Sequence, residues 1–157
     1  MANQKNRLWL RLGLCIYAII YGVSLPMMFG ISTSYSSYYT DAPMIFLIMT
    51  FVVSLGLWLH RNKEWEIPAM ALMVVACFDC FRWPMIHNIA AMIFFISSTW
   101  IMLRDKRYGV WGRMSLIWYA ILLMIEDGGL FWFEMIQIIL IATYHMRRVI
   151  HLIRLRK

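Results

Sequence analysis

Two ionisable side chains stand inside apolar stretches of this sequence, at positions where a polar group could do chemistry. His87 lies about one helical turn after the break at 82–84, and Glu134 follows the aromatic run 131–133. An ionisable group inside a membrane span is costly, so its presence favours a functional role. A histidine can act as a general base or hydrogen-bond donor, and a carboxylate can orient it. We therefore predict a catalytic pair of His87 and Glu134.

Other polar residues are expected at a similar depth near the same end of the chain's helices. Those predicted to bind substrate are Arg82, Asp79, Asn88 and Gln137. Arg82 would hold a lipid phosphate or carboxylate, because guanidinium groups bind such anions with paired hydrogen bonds. Gln137 is three residues after Glu134 and is expected on the same helix face.

Structural roles remain open for each of these groups. Asp79 and Arg82 could form only a local ion pair at a helix end. His87 could be an interfacial histidine, and Glu134 could satisfy an interhelical hydrogen bond. The acids of the turn 126–129, Glu-Asp-Gly-Gly, are expected in solvent.

The sequence predicts no metal and no cofactor. A hydrolytic zinc site needs about three converging ligands. Three of the 4 histidines, His60, His145 and His151, belong to the opposite end of the predicted helices from His87. Cys77 and Cys80 form a single C-x-x-C, which is expected to pack in a helix, with a disulfide or redox role as the alternative.

The elements that must position these residues are membrane-spanning helices. The 157 residues are 62% hydrophobic and only 15% charged, with a mean hydropathy of +0.67. A soluble chain this small could not cover so apolar a core. We predict an all-α bundle, a single domain of six spans, over about 8–30, 43–60, 67–81, 85–103, 114–125 and 130–146. The third and fifth spans are short.

The distribution of cations predicts the orientation of this bundle. With six spans, Arg82 is the one exception among 15 Lys and Arg residues that otherwise fall on a single side. The positive-inside rule makes that side cytoplasmic, together with both termini. The net charge of +7 therefore indicates how the chain is oriented in the membrane, and it does not indicate nucleic-acid binding. Short loops and the lack of sorting motifs favour a bacterial inner (plasma) membrane.

Two stretches resemble a known family. One is 86–98, where a histidine opens a span that continues with small residues, Phe-Phe and Ser-Ser. The other is 133–146, where a glutamate opens the last span and Tyr-His-Met closes it. Together they resemble the six-span superfamily of the damage-regulated autophagy modulator (DRAM) proteins and the GPI-anchor lipid-remodelling factor. The resemblance covers about 27 residues, implies a role in remodelling membrane lipids, and makes His87 and Glu134 the family-matched pair.

Three functions follow as hypotheses. The first is a lipid-handling protein, either a remodelling enzyme or a lipid-binding factor, with membrane lipids as its partners. The second is a non-enzymatic subunit of a larger membrane complex, suggested by the incomplete catalytic constellation and by 14 methionines that pack adaptably. The third is a homo-oligomeric channel or membrane-permeabilising effector, suggested by Glu134 and Gln137 on one helix face.

Overall fold

The computed structural model describes residues 2–59, 62–122, 124 and 129–155, and this part of the chain is all-helical. Seven α-helices follow one another, joined by short connections. They are α1 (Ala2–Phe29), α2 (Tyr38–Asp41), α3 (Pro43–Trp58), α4 (Glu66–Cys77), α5 (Pro84–Arg104), α6 (Gly109–Leu122) and α7 (Gly129–Arg154). Short 3-10 turns at Tyr35–Ser37 and Lys63–Trp65 precede α2 and α4.

Local chemistry sets where these helices begin and end. Pro43 and Pro84 are the first residues of α3 and α5. The N–H that proline lacks would have no partner within the helix at this position. Gly30 ends α1 with a φ of 79°, a left-handed conformation that glycine adopts without strain. The Asp105 carboxylate accepts the N–H groups of Arg107 and Tyr108, which turns the chain between α5 and α6.

Helix α1 and helices α3 to α7 form a ring, in the order in which they occur in the chain. Helix α1 packs against α7 and α3, and each of α4, α5 and α6 packs between its two sequence neighbours. Cys80, between α4 and α5, contacts the carbonyl of Ser36 near the end of α1. At the other end of the ring, Tyr144 of α7 contacts Asp105, between α5 and α6. The connections therefore alternate between two ends, and neighbouring helices run in opposite directions.

Three helical segments are long and apolar enough to cross a membrane: Asn6–Phe29, Pro84–Arg104 and Gly129–Arg154. Helix α3 is a shorter apolar helix of 16 residues. Large apolar side chains face outward from the ring, including Ile20, Phe51, Met92 and Ile117. In water such a surface would be unfavourable, whereas hydrocarbon solvates it. The chain is therefore a membrane protein.

The two remaining helices of the ring, α4 and α6, are short, as the sequence predicts. Helix α4 has 12 residues and α6 has 14. At 1.5 Å per residue they are roughly 18 and 21 Å long, against a hydrocarbon core of about 30 Å. Helix α7, in contrast, continues to Arg154, beyond the predicted end of the last span at 146.

The connection between α1 and α3 folds over one end of the ring. Tyr35 and Tyr38 in this connection are buried against Phe131 of α7 and the end of α1. The Tyr35 hydroxyl donates to the carbonyl of Tyr21 over 2.9 Å. Residues 30–42 thus form an ordered cap and not an open loop. It is called here the outer cap, and its end of the ring the outer end, after the orientation predicted from the sequence; the opposite end is called the inner end.

Candidate functional site

An elongated cavity lies inside the ring, walled by α1, α3, α4, α5 and α7. The centre of a water molecule can occupy about 100 Å³ of it. By that measure one water needs roughly 10–15 Å³, so the cavity is several molecules long. Its middle is almost entirely apolar, and its two ends carry polar side chains. His87, Glu134, Tyr35 and Ser36 line the outer end, and Arg11 and His145 line the inner end.

His87 stands in the first turn of α5 and is almost fully buried, with 2% of its surface exposed. Its Nδ1 lies 2.7 Å from the carbonyl oxygen of Phe78. A carbonyl can only accept, so Nδ1 carries a proton, and in the neutral imidazole Nε2 then holds the lone pair. Within the described part of the chain, Nε2 is buried and has no hydrogen-bond partner. This arrangement leaves a basic nitrogen available at the end of the cavity.

Chain geometry explains why the Phe78 carbonyl is available to this histidine. Helix α4 ends at Cys77, and Phe78 has extended backbone angles. Its carbonyl is therefore outside the helical hydrogen-bond ladder and can accept from a side chain. This hydrogen bond between His87 and Phe78 therefore holds the imidazole ring against the connection between α4 and α5.

Glu134 is buried in α7 and binds the outer cap. Its carboxylate accepts the N–H of Tyr35 over 2.6 Å and also that of Ser36. These two N–H groups belong to the start of a 3-10 turn, where helical partners are lacking. Glu134 therefore holds the cap onto the ring. Glu134 and His87 line the same cavity, but hydrogen bonds hold them to two different backbone segments.

Asp79 and Arg82 lie at the surface next to this end of the cavity. The two side chains form an ion pair of 3.8 Å, and the Arg82 side chain is 85% exposed. The N–H groups of Arg82 and Phe81, together with the Arg82 guanidinium, lower the pKa of Asp79. Their arrangement is the local ion pair that the sequence left open as an alternative.

Asn88 and Gln137 do not line the cavity. Asn88 is exposed on α5, beside the buried His87. Gln137 is fully buried, and its Nε2 donates to the carbonyl of Ser115 in α6 over 3.1 Å. This amide ties α7 to α6, whereas Glu134 faces the cavity and the outer cap. Of the other predicted polar residues, Glu126, Asp127 and His60 lie outside the described residues.

Sequence reasoning missed the inner end of the cavity. Arg11 stands in α1 among apolar residues, and His145 lies on the α7 face that carries Glu134. Positions 134, 138, 141, 142 and 145 all line the cavity and follow the helical spacing of one face. That periodicity in the sequence is the signal that could have linked His145 to Glu134.

A polar network next to His145 holds the inner end of α7. The Tyr144 hydroxyl donates to Asp105 over 2.8 Å, and Arg148 contacts both Tyr144 and Asp105. Burial acts to raise the pKa of Asp105, but hydrogen bonds from Tyr144 and from the backbone outweigh it and lower the pKa. The fully buried Trp65 ring packs edge-on against His145, with centroids 4.1 Å apart. The inner end is thus rigidly built.

The cysteines are not paired, and no metal cluster is present among the described residues. Cys77 is exposed, Cys80 is half-buried, and both are free thiols. Burial raises the pKa of the Cys80 thiol, which contacts the carbonyl of Ser36. No group of three or more His, Cys, Asp or Glu side chains in the described ranges could hold a metal ion.

Comparisons with family models, with curated proteins and with solved structures return no match.

Proposed function

We propose that this protein binds membrane lipids inside its helical ring and remodels them at the outer end of the cavity. The observation that carries the proposal is the His87 imidazole, whose unpartnered Nε2 stands where a mostly apolar cavity ends. The apolar walls suit an acyl chain. The nearby Arg82 suits a phosphate or carboxylate of the head group.

The topology proposed with this function has six spans and both termini in the cytoplasm. Alternating connections support it, and so does the concentration of Lys and Arg at one end of the ring. The short helices α4 and α6 would cross where neighbouring helices and the outer cap cover their ends. A bacterial inner membrane is the proposed location.

The chemistry proposed for the site is acyl transfer from an ester lipid. His87 Nε2 takes a proton from water or an alcohol, whose oxygen bonds to the ester carbonyl carbon. The bond from that carbon to the head-group oxygen then breaks, and the leaving oxygen receives the proton back from Nε2. Glu134 keeps the outer cap in place over the site, so it is a positioning residue in this scheme. The likeness of 86–98 and 133–146 to the DRAM superfamily points in the same direction.

The experiment is lipid turnover in proteoliposomes that contain phosphatidylethanolamine and phosphatidylglycerol. Mass spectrometry would follow the appearance of free fatty acid, lysolipid or transacylated lipid. Loss of a general base lowers rates by about 10²–10⁴-fold, so His87→Gln should abolish measurable turnover. His151→Gln makes the same change at the inner end and should keep wild-type turnover. Full turnover by His87→Gln would overturn the proposed mechanism.

The channel hypothesis finds less support in this geometry than lipid handling. A conducting pathway needs polar groups along its length, or a wide hydrated pore. The described cavity walls are mostly apolar between the two ends, at positions such as Val53, Phe94, Phe95 and Ile138. A hydrocarbon chain matches these walls better than a column of water or ions does.

A further inference from the structure

The inner end of the cavity carries a cation, Arg11, that has no counter-ion among the described residues. Arg11 is half-buried and lines the cavity. Among the described residues, the ion pairs use Arg82, Arg104 and Arg148, and none involves Arg11. The neighbouring Arg148 is already compensated by Asp105, at 3.4 Å. A guanidinium inside an apolar setting is costly unless an anion accompanies it.

The two ends of the cavity are one acyl chain apart. On α7 the cavity runs from Glu134 to His145, which are 11 positions apart and so separated by roughly 16 Å along the helix. The wall between them is made by side chains such as Ile138 and Ile141 of α7 and Val53 and Leu57 of α3. One extended hydrocarbon chain, either that of a free fatty acid or one chain of an ester lipid, matches this length.

We propose that Arg11 binds the carboxylate of a free fatty acid whose chain lies in the cavity and points towards His87. This inference rests on the proposed function, because it uses the same cavity as a lipid site. It adds that the free acid binds in the orientation opposite to the ester lipid, with its head at the inner end.

Charge selects this orientation. At the outer end no lysine or arginine lines the described cavity, because Arg82 is exposed and already pairs with Asp79. At the inner end a carboxylate meets Arg11, which can hold both of its oxygens with charge-assisted hydrogen bonds. One guanidinium also balances one negative charge, which matches a carboxylate better than a phosphate monoester. The ester group of a lipid is uncharged and gains nothing from Arg11, so an ester lipid can keep its head group at the outer end.

The consequence is that a fatty acid released by the proposed reaction competes with the ester lipid for one cavity. The free acid would thus be a product inhibitor. Once bound in this opposite orientation, it would also have a route towards the cytoplasmic leaflet, because its head then lies at the basic end of the ring.

The test measures binding of laurate and of methyl laurate to the purified full chain in a non-ionic detergent, by calorimetry and native mass spectrometry. Wild-type protein should bind laurate more tightly than the methyl ester. Arg11→Gln should weaken laurate binding by about tenfold or more, and leave methyl laurate unchanged. Arg7→Gln removes the same charge from an exposed position one turn earlier on α1, and should bind both as the wild type does.

Several outcomes separate this inference from the proposed function. Equal wild-type affinity for the acid and the ester would overturn the inference and leave the lipid cavity standing. The same holds if Arg11→Gln and Arg7→Gln behave alike. This comparison of two ligands on the wild-type protein remains decisive even if Arg11→Gln does not fold. No binding of either ligand would overturn both proposals.

Discussion

The carboxylate of Glu134 lies 2.6 Å from the backbone nitrogen of Tyr35, a residue 99 positions earlier in the chain. A single buried side chain of the last helix thereby satisfies the open N–H groups of the outer cap. The same residue lines the cavity, so the cap and the candidate site share one anchor.

Replacing Glu134 should loosen the outer cap. Glu134→Ala removes the acceptor and leaves buried N–H groups unsatisfied, which costs roughly 1–3 kcal/mol. We expect faster amide hydrogen exchange over residues 30–42 and a lower melting temperature. Asp41→Asn changes an exposed acid of the same cap and should affect neither measurement. Unchanged exchange in Glu134→Ala would show that aromatic packing alone holds the cap.

Close packing between α5 and α6 should make Gly112 intolerant of a side chain. A Cβ at Gly112 would stand 2.5 Å from the backbone nitrogen of Leu103, where nothing flexible can yield. Gly112→Ala should therefore destabilise the protein by roughly 1–3 kcal/mol, measured as thermal unfolding in detergent. Gly13→Ala is the matched control, because its Cβ would meet no atom within 4 Å. Equal melting temperatures for the two variants would contradict this packing.

The polar network at Asp105 should stabilise the protein only above acidic pH. The folded pKa of Asp105 lies below its unfolded value of about 4, so its contribution is complete above pH 4. It is lost as the pH falls through the lower folded pKa. Asp105→Asn should lower the melting temperature at neutral pH, and the difference from wild type should shrink in acid.

Tyr144→Phe should have a smaller effect of the same kind. It removes one hydrogen bond to Asp105 but keeps those from the N–H groups of Arg107 and Tyr108. A difference between wild type and Asp105→Asn that does not change with pH would exclude a role for the charge.

Labelling from one side of the membrane tests the proposed topology. In a cysteine-free background, Thr33→Cys in the outer cap should react with a membrane-impermeant maleimide in intact cells. Lys106→Cys, between α5 and α6, should react only after the membrane is opened. Both positions are exposed, so accessibility of the side chain itself does not limit the reaction. The reverse pattern would invert the orientation, and labelling of both in intact cells would exclude the six-span arrangement.

The helices themselves could be predicted from the sequence. An apolar segment inside a membrane must satisfy its own backbone hydrogen bonds, because hydrocarbon offers no partner, and a helix satisfies them within one segment. Proline and glycine then mark ends, as Pro43, Pro84 and Gly30 do here. The all-helical class, the short α4 and α6, and the grouping of the cations needed no tertiary information.

The candidate site was only partly predictable. The two buried ionisable residues, His87 and Glu134, stand out because each interrupts an apolar segment, and the structure places both on one cavity. Their roles as catalytic residues remain a prediction. The local ion pair of Asp79 and Arg82 was foreseeable as one of two alternatives, since the residues are three apart around a helix end.

Which groups these side chains meet depends on packing around the ring. Glu134 and Gln137 are neighbours on one helix, yet one faces the outer cap and the other the carbonyl of Ser115. The rotation of α7 decides this, and that rotation is set by contacts with α1 and α6 together. Arg11 belongs to the cavity for the same reason, because α1 closes the ring against α7. Hydropathy and charge order follow from residues near each other in the chain, whereas a cavity exists only between helices that the chain brings together at long range.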